Sequence, residues 1–165
     1  MSKMTTHNLQ CPNCDNKQDF IVYDSVNVDL NPELKEKLLS AEINVMVCEK
    51  CGNKSYIETD LLYHDMTHRF CVQLYPFRFI SDSDFIKHFN PIGAIAKTGL
   101  LEGMLGPGDY MTEPHIVFDM GEMIRYIKFR EQVIAIAPPL NDEPVVENTK
   151  KPKLSLLDRL FGRKK

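Results

Sequence analysis

The chain reads as an α+β domain: an antiparallel sheet, one helix inserted between two cysteine pairs, and a helical C-terminal portion. Three observations carry that reading. Runs rich in β-branched and aromatic residues at 19–28, 43–47, 54–60 and 69–75 have strand character. Asn31-Pro32-Glu33 opens one helical repeat, and Asp119 with Glu122 opens another. With 165 residues, 43% of them hydrophobic and 26% charged, the chain can bury a core, and one domain is expected.

Each element has its own local cause. Residues 19–28 (DFIVYDSVNV) alternate partially, as a strand with one buried face does. Asn31 is a good N-cap and Pro32 loses no hydrogen bond at the first helical position, so a helix is expected over about 32–40. Leu34 and Leu38 share its inner face, and Glu33 with Lys37 makes a favourable i,i+4 pair. Residues 43–47 (INVMV) run as a strand into Cys48, and 54–60 leave Gly52 as another. A turn at 64–67 then leads into 69–75, where Phe70, Val72 and Leu74 share a face, and the two strands are expected to form an antiparallel hairpin. Five of the eight glycines fall between Gly93 and Gly108, so loops around a weak helical stretch near 93–105 are expected. His115–Val117 with Phe118 (HIVF) has strand character. From Asp119, the positions Met120, Met123, Ile124, Ile127 and Glu131 trace one side of a helix ending near Gln132, most simply a core stripe.

Two Cys-x-x-Cys pairs dominate the chemistry: Cys11-Pro12-Asn13-Cys14 and Cys48-Glu49-Lys50-Cys51-Gly52. Two cysteines so spaced turn both sulfurs toward one ion, while backbone amides of the knuckle hydrogen-bond the thiolates. Cys11, Cys14, Cys48 and Cys51 thus supply the closed tetrahedral set of structural Zn²⁺, although iron in a rubredoxin-like site uses the same ligands. Four thiolates on Zn²⁺ leave a charge near −2, which Lys17, Lys50 and Lys54 are close enough in sequence to offset. Gly52 allows the positive φ such a knuckle favours, whereas Asp15 stands where the first knuckle would prefer glycine. The 33 residues between Cys14 and Cys48 exceed the ~15–20 of a compact ribbon, and the strand and helix between them fill the surplus. Intracellular chemistry suits such cysteines better than a disulfide framework does.

CPNC near the start, FIVYDSVNV, NPELKEKLLS and then VMVCEKCGNKSYIETDLLYHD resemble, in order and spacing, the CpXC-domain family of prokaryotic proteins. The resemblance is close over about residues 9–76 and looser through the helix at 119–132. It implies a zinc-ribbon-like domain with an embedded helix and points to no particular activity.

The net charge of −3 divides unevenly. Residues 150–165 carry seven Lys/Arg and one acidic residue, a local +6, which leaves −9 on residues 1–149. An acidic body counts against nucleic-acid binding, because phosphates need a basic face. Residues 1–137 are expected to form the domain and 138–153, with four prolines, a linker reaching roughly 20–50 Å. Residues 154–165 form a basic amphipathic tail in which Leu156, Leu157, Leu160 and Phe161 share one side. A helix so short folds only upon a surface, either an anionic membrane or a groove on a protein partner, and otherwise it is a solubilising tail or one lying on its own acidic body. The polar start MSKMTTHNLQ lacks the ~7–15-residue apolar stretch of a signal peptide, and no run reaches the ~18 residues of a membrane span. A cytoplasmic location is expected, peripheral at the membrane if the tail engages lipid.

The remaining candidates are weaker. His64, Asp65 and His68 are the first place to seek catalysis, but the i,i+4 histidines share a face only on a helix, and here a turn is expected. Cys71 lies on an alternating strand without an identifiable histidine partner and reads as a buried thiol. His7 and His115 stand alone as surface or core histidines, and the glycine cluster fits neither phosphate-loop template. The expected function is therefore a zinc-binding adaptor without an assigned activity, with a metal-dependent enzyme or a nucleic-acid-binding zinc ribbon as alternatives.

Overall fold

A computed structural model of the chain describes residues 2–95 and 109–137. The linker at 138–153, the tail at 154–165 and most of the helical stretch expected near 93–105 lie outside them. Five strands form the main sheet in the order β1-β2-β5-β6-β7: β1 (Lys3–Gln10), β2 (Lys17–Asn27), β5 (Leu61–Asp65), β6 (Phe70–Leu74) and β7 (His115–Val117). A separate two-stranded sheet pairs β3 (Val45–Val47) with β4 (Lys54–Tyr56).

The main sheet is mixed, which corrects the antiparallel expectation. β1 with β2 and β5 with β6 run antiparallel, whereas β2 with β5 and β6 with β7 run parallel. The reason is connection length. Antiparallel neighbours close with a short turn, but parallel ones need a crossover of a dozen or more residues. The chain supplies one crossover from Asn27 to Leu61, through helix α1 (Pro32–Leu39) and the small sheet, and another from Leu74 to His115.

β1 has no counterpart in the sequence reading. Its eight residues are almost wholly exposed, so no apolar alternation announces it. It is held by backbone pairing to β2 from Gln10 opposite Lys17 through Lys3 opposite Ser25. Polar cross-strand contacts assist: Asn8 Nδ2 donates to Asp19 Oδ1 at 2.8 Å, and Lys3 lies 3.1 Å from Asp24.

The expected hairpin is also redrawn. Its first strand is β5 rather than residues 54–60, of which only Lys54–Tyr56 is a strand, in the other sheet. The turn falls after Asp65 because two carboxylates organise it. Buried Asp65 accepts from the backbone N–H of His68 at 2.8 Å, and Asp29 accepts from the N–H groups of Met66 and Thr67 and from the Thr67 hydroxyl. That hydroxyl, with the two amides, holds the Asp29 carboxyl below its ordinary range.

One face of the sheet carries the core. Val26, Leu61, Tyr63, Val72, Leu74 and Val117 meet Leu34 and Leu38 of α1 and Met123 and Ile127 of α3 (Met120–Ile136). A Lys35–Glu131 ion pair at 2.6 Å links the two helices across the surface. Helix α1 starts at Pro32 as expected, but the Asn31 side chain makes no cap bond; its amide donates to Glu33 instead. The start of α3 follows the capping-box pattern with a shift. Asp119 Oδ1 accepts from the Glu122 N–H at 2.7 Å, while Glu122 Oε2 reaches back to the Phe118 N–H at 2.9 Å. The helix runs four residues past Gln132, ending with Ile136 exposed.

Between β6 and β7 the chain makes a 3₁₀ turn at Phe77–Ser81 and the one-turn helix α2 (Ser83–Ile86), capped by Asp82. Tyr75, Phe79, Phe85 and Phe89 pack there edge to face or tilted.

Candidate metal centre

Each cysteine pair sits at the tip of an antiparallel hairpin. Gln10 opposite Lys17 closes the first, and Val47 opposite Lys54 closes the second. The two tips use the same backbone bonds. Cys11 N donates to Asn16 O at 2.8 Å and Cys48 N to Asn53 O at 2.9 Å, while Asp15 N donates to Cys11 O at 3.1 Å and Gly52 N to Cys48 O at 2.8 Å. Both tips require a left-handed residue four positions after the first cysteine: Gly52 at φ 70° and Asp15 at φ 55°. Aspartate tolerates this region better than most side chains. Its Oδ1 also accepts from Gln10 Nε2 at 2.9 Å, which fixes it there.

At Gly52 nothing lies within 4 Å of where a Cβ would stand, so the need for glycine is conformational and not steric. Gly52→Ala is therefore expected to destabilise the metal-loaded protein by about 1 kcal/mol, read from urea denaturation midpoints. Gly52→Asn should cost distinctly less; equal stability of Gly52→Ala and the parent would contradict this account.

The four sulfurs converge. Cys11 Sγ lies 3.7 Å from Cys51 Sγ and Cys14 Sγ lies 3.6 Å from Cys48 Sγ, and all four fall within 4.8 Å of one another. A tetrahedron with metal–sulfur bonds of ~2.3 Å has sulfur–sulfur edges of ~3.8 Å, so the residues present fit a single tetrahedral ion. Cys11 and Cys48 are buried, Cys14 is half-buried and Cys51 is exposed.

The hydrogen-bond donors around the sulfurs are amides. Asn13 Nδ2, followed by the Asn53 N–H, lowers the Cys51 thiol to about 6, and the N–H groups of Cys51 and Lys50 lower that of Cys48. At Cys14 the Asn16 N–H also favours the thiolate, but burial and the other three sulfurs outweigh it and push the thiol up to about 12. The cluster thus tends to hold negative charge while resisting full ionisation, which is what a cation relieves. Lys17, Lys50 and Lys54 flank the site in the chain, but the side-chain donor to sulfur is Asn13, not an ammonium.

Two further residues position the centre and carry no signal in the sequence. Gln18 Nε2 donates to Val47 O and its Oε1 accepts from the Glu49 N–H, each at 2.9 Å, so one carboxamide grips the chain on both sides of Cys48. Asn44, buried at φ 54°, accepts from the Tyr23 N–H at 2.8 Å and donates to Tyr23 O at 3.0 Å. Its own carbonyl accepts from the Ile57 N–H at 2.8 Å. Together they fasten the small sheet to β2.

The other candidates do not converge on one centre. Side chains alternate along β5, so His64 and Asp65 face opposite sides of the sheet. His64 Nε2 meets the Tyr110 hydroxyl at 2.8 Å, and burial lowers its ionisation below the usual histidine range. Asp65 instead holds the turn, with His68 Nδ1 at 3.0 Å. Cys71 is buried, and burial pushes its thiol up to about 12, the opposite of nucleophile activation. His115 stacks on Tyr126 at 3.6 Å, and His7 lies on the exposed strand β1. Gly93, at φ 80°, turns the chain after Asn90; the rest of the glycine cluster from Gly99 onward falls outside the described residues.

No curated protein and no solved structure matches the chain significantly. A family model does: the one described as CpXC protein aligns with residues 9–147, from just ahead of the first cysteine pair to beyond the end of α3. Both cysteine pairs, strands β2 to β7 and helices α1 to α3 fall within that span, while most of β1 precedes it, and the chain belongs to the CpXC family.

Proposed function

We propose that the chain is a non-enzymatic zinc-binding adaptor. Zn²⁺ held by Cys11, Cys14, Cys48 and Cys51 cross-links the two hairpin tips, and α1 is an insertion between the two knuckles of a zinc ribbon. The spacing of the four sulfurs, close to the edges of a tetrahedron, is the observation that carries the reading. Zn²⁺ suits the role because it has no redox chemistry and no geometric preference against a closed thiolate cage. Protein purified without added metal should be colourless and contain one Zn²⁺ per chain by elemental analysis. A red protein with thiolate-to-iron absorbance would replace zinc by iron.

The adaptor role draws support from apolar surface between β6 and β7. Phe77 and Ile92 are 69% and 87% exposed, and Ile80 and Ile86 lie exposed near them in sequence. Among the described residues, no helix is long and apolar enough to cross a membrane. The tail at 154–165 would supply a second contact, to anionic lipid or to a partner protein, for a cytoplasmic protein peripheral at the membrane. Removal of 150–165 should abolish sedimentation with phosphatidylserine vesicles or the loss-sensitive recovery of a stoichiometric partner. A truncated chain that behaves as the full one in both assays would end the docking reading.

A further inference from the structure

A notch opens where β6 outruns β7. Strand β7 pairs only with Val72, Gln73 and Leu74, so Phe70 and Cys71 extend past its start. The space beside them is a cavity of about 480 Å³, within the range of small-molecule sites. Tyr126 and Arg130 of α3 border it on one side, and the 3₁₀ turn Tyr110–Thr112 with Ile92 and Ile95 on the other. None of the four clustered cysteines lines it.

Two arginines give the notch its character. Arg69 Cζ stands 5.1 Å from the centre of the Tyr110 ring, and Arg130 Cζ stands 5.1 Å from that of Phe70. Both platforms are anchored: Phe70 is part of the core, and the Tyr110 hydroxyl is hydrogen-bonded to His64. A guanidinium stacked on a ring keeps its in-plane N–H groups free for an oxyanion, and a fixed platform removes much of the ordering cost. Neither arginine has a carboxylate partner among the described residues, although the body of the chain carries −9. Arg130 Nε is in addition buried without a hydrogen-bond acceptor among the described residues, which leaves the terminal N–H groups of this side chain as the ones an anion in the notch can reach.

Most of the remaining wall is apolar or aromatic, with Asn90 and Thr112 as neutral polar members. Ile92, Ile95 and Phe70 line it, with the stacked His115–Tyr126 pair, whose rings are 7° from parallel. Glu113 also stands on the wall, so the site is not uniformly basic, and the anionic end of a ligand belongs beside the two guanidiniums.

We propose that this notch binds a small organic oxyanion, a carboxylate or phosphate monoester borne on an aromatic or apolar body, with Arg69 and Arg130 holding the oxyanion and the apolar wall the body. The site is independent of the metal reading, and its failure would leave that reading intact.

Benzoate, phenyl phosphate and inorganic phosphate are suitable probes, titrated into isotope-labelled, metal-loaded full-length protein and followed by amide chemical shifts. Benzoate or phenyl phosphate is expected to bind with Kd of about 1 mM or tighter, shifting resonances of residues 69–71, 110–115 and 126–130. The stronger of the two identifies the headgroup. Arg130→Gln and Arg69→Gln should each weaken binding about tenfold or more, while Arg125→Gln, on α3 but not on the cavity wall, should not. Metal content and near-UV circular dichroism establish that each variant is folded; if Arg130→Gln is not, Arg69→Gln carries the test. Absence of shifts at these residues with both aromatic probes, or binding unchanged in Arg69→Gln, would overturn the proposal. Inorganic phosphate binding as tightly as phenyl phosphate would overturn the role of the apolar wall.

Discussion

Cys11→Ser is expected to lose the metal and with it the cooperative thermal unfolding transition of the whole chain. Structural Zn²⁺ binds with an apparent ~10–16 kcal/mol at neutral pH, and because an unfolded chain offers no formed site, that binding is folding free energy. A domain of this size has a total stability of only ~5–15 kcal/mol. Cys11 is 0% exposed and directly follows β1 at the first tip, so a serine there removes a thiolate from the most enclosed position of the cluster. Sulfurs gathered within 4.8 Å of one another resist joint ionisation, so the folded arrangement depends on a cation to offset their charge. Chelation of the parent protein should act the same way. Elemental analysis and circular dichroism melts check both results together; a protein freed of metal that melts at the parental temperature would refute the structural role. Acid should favour release, since each departing thiolate takes up a proton, so metal content falls as pH falls.

Asn44→Ala is expected to cost at least about 3 kcal/mol without touching a ligand. Two losses add. The Tyr23 N–H and carbonyl each lose the partner that Asn44 provides, at ~1–3 kcal/mol for a buried polar group left unpaired. Alanine at φ 54° adds ~1 kcal/mol that asparagine largely avoids. Asn44→Gly separates the terms, because glycine accepts the backbone conformation and lacks only the amide. Urea denaturation of the metal-loaded variants supplies the measurement. A cost below about 1 kcal/mol for Asn44→Ala would mean that the Gln18 carboxamide and the metal hold the small sheet to β2 without it.

The difference between legible and illegible features follows the range of the interactions. Pro32 at the first turn and Leu34 and Leu38 on the inner face place α1 to within a residue, because caps and a 3.6-residue period act within one element. Asp119 and Glu122 place the start of α3 for the same reason, even though Glu122 satisfies Phe118 and not Asp119. The end of α3 is less legible, since of its last four residues only Ile134 packs against the core while Ala135 and Ile136 are exposed. β1 escapes detection because its polar residues are chosen for solvent and for β2, and the strand exists only through backbone pairing with a neighbour.

The site divides along the same line. Spacing within each Cys-x-x-Cys pair makes a knuckle, and glycine at 52 marks its left-handed residue, so the set Cys11, Cys14, Cys48 and Cys51 is written locally. Gln18, Asn44 and Asn13 act on segments 21–38 residues away, and a lone amide in a sequence carries no address. His64 and Asp65 show the converse: adjacent in sequence, they are parted by the two-residue period of a strand.

By itself, then, the sequence determined an α+β chain with two cysteine knuckles, a Pro-started helix and a capped C-terminal helix, all consequences of contacts within a few residues. Tertiary structure decided the mixed order β1-β2-β5-β6-β7, the amides that fasten one hairpin tip to the sheet, and the placing of Arg69 and Arg130 around one notch. Those depend on crossover connections and on side chains that meet across 20 to 60 residues, where no short-range pattern constrains the partner.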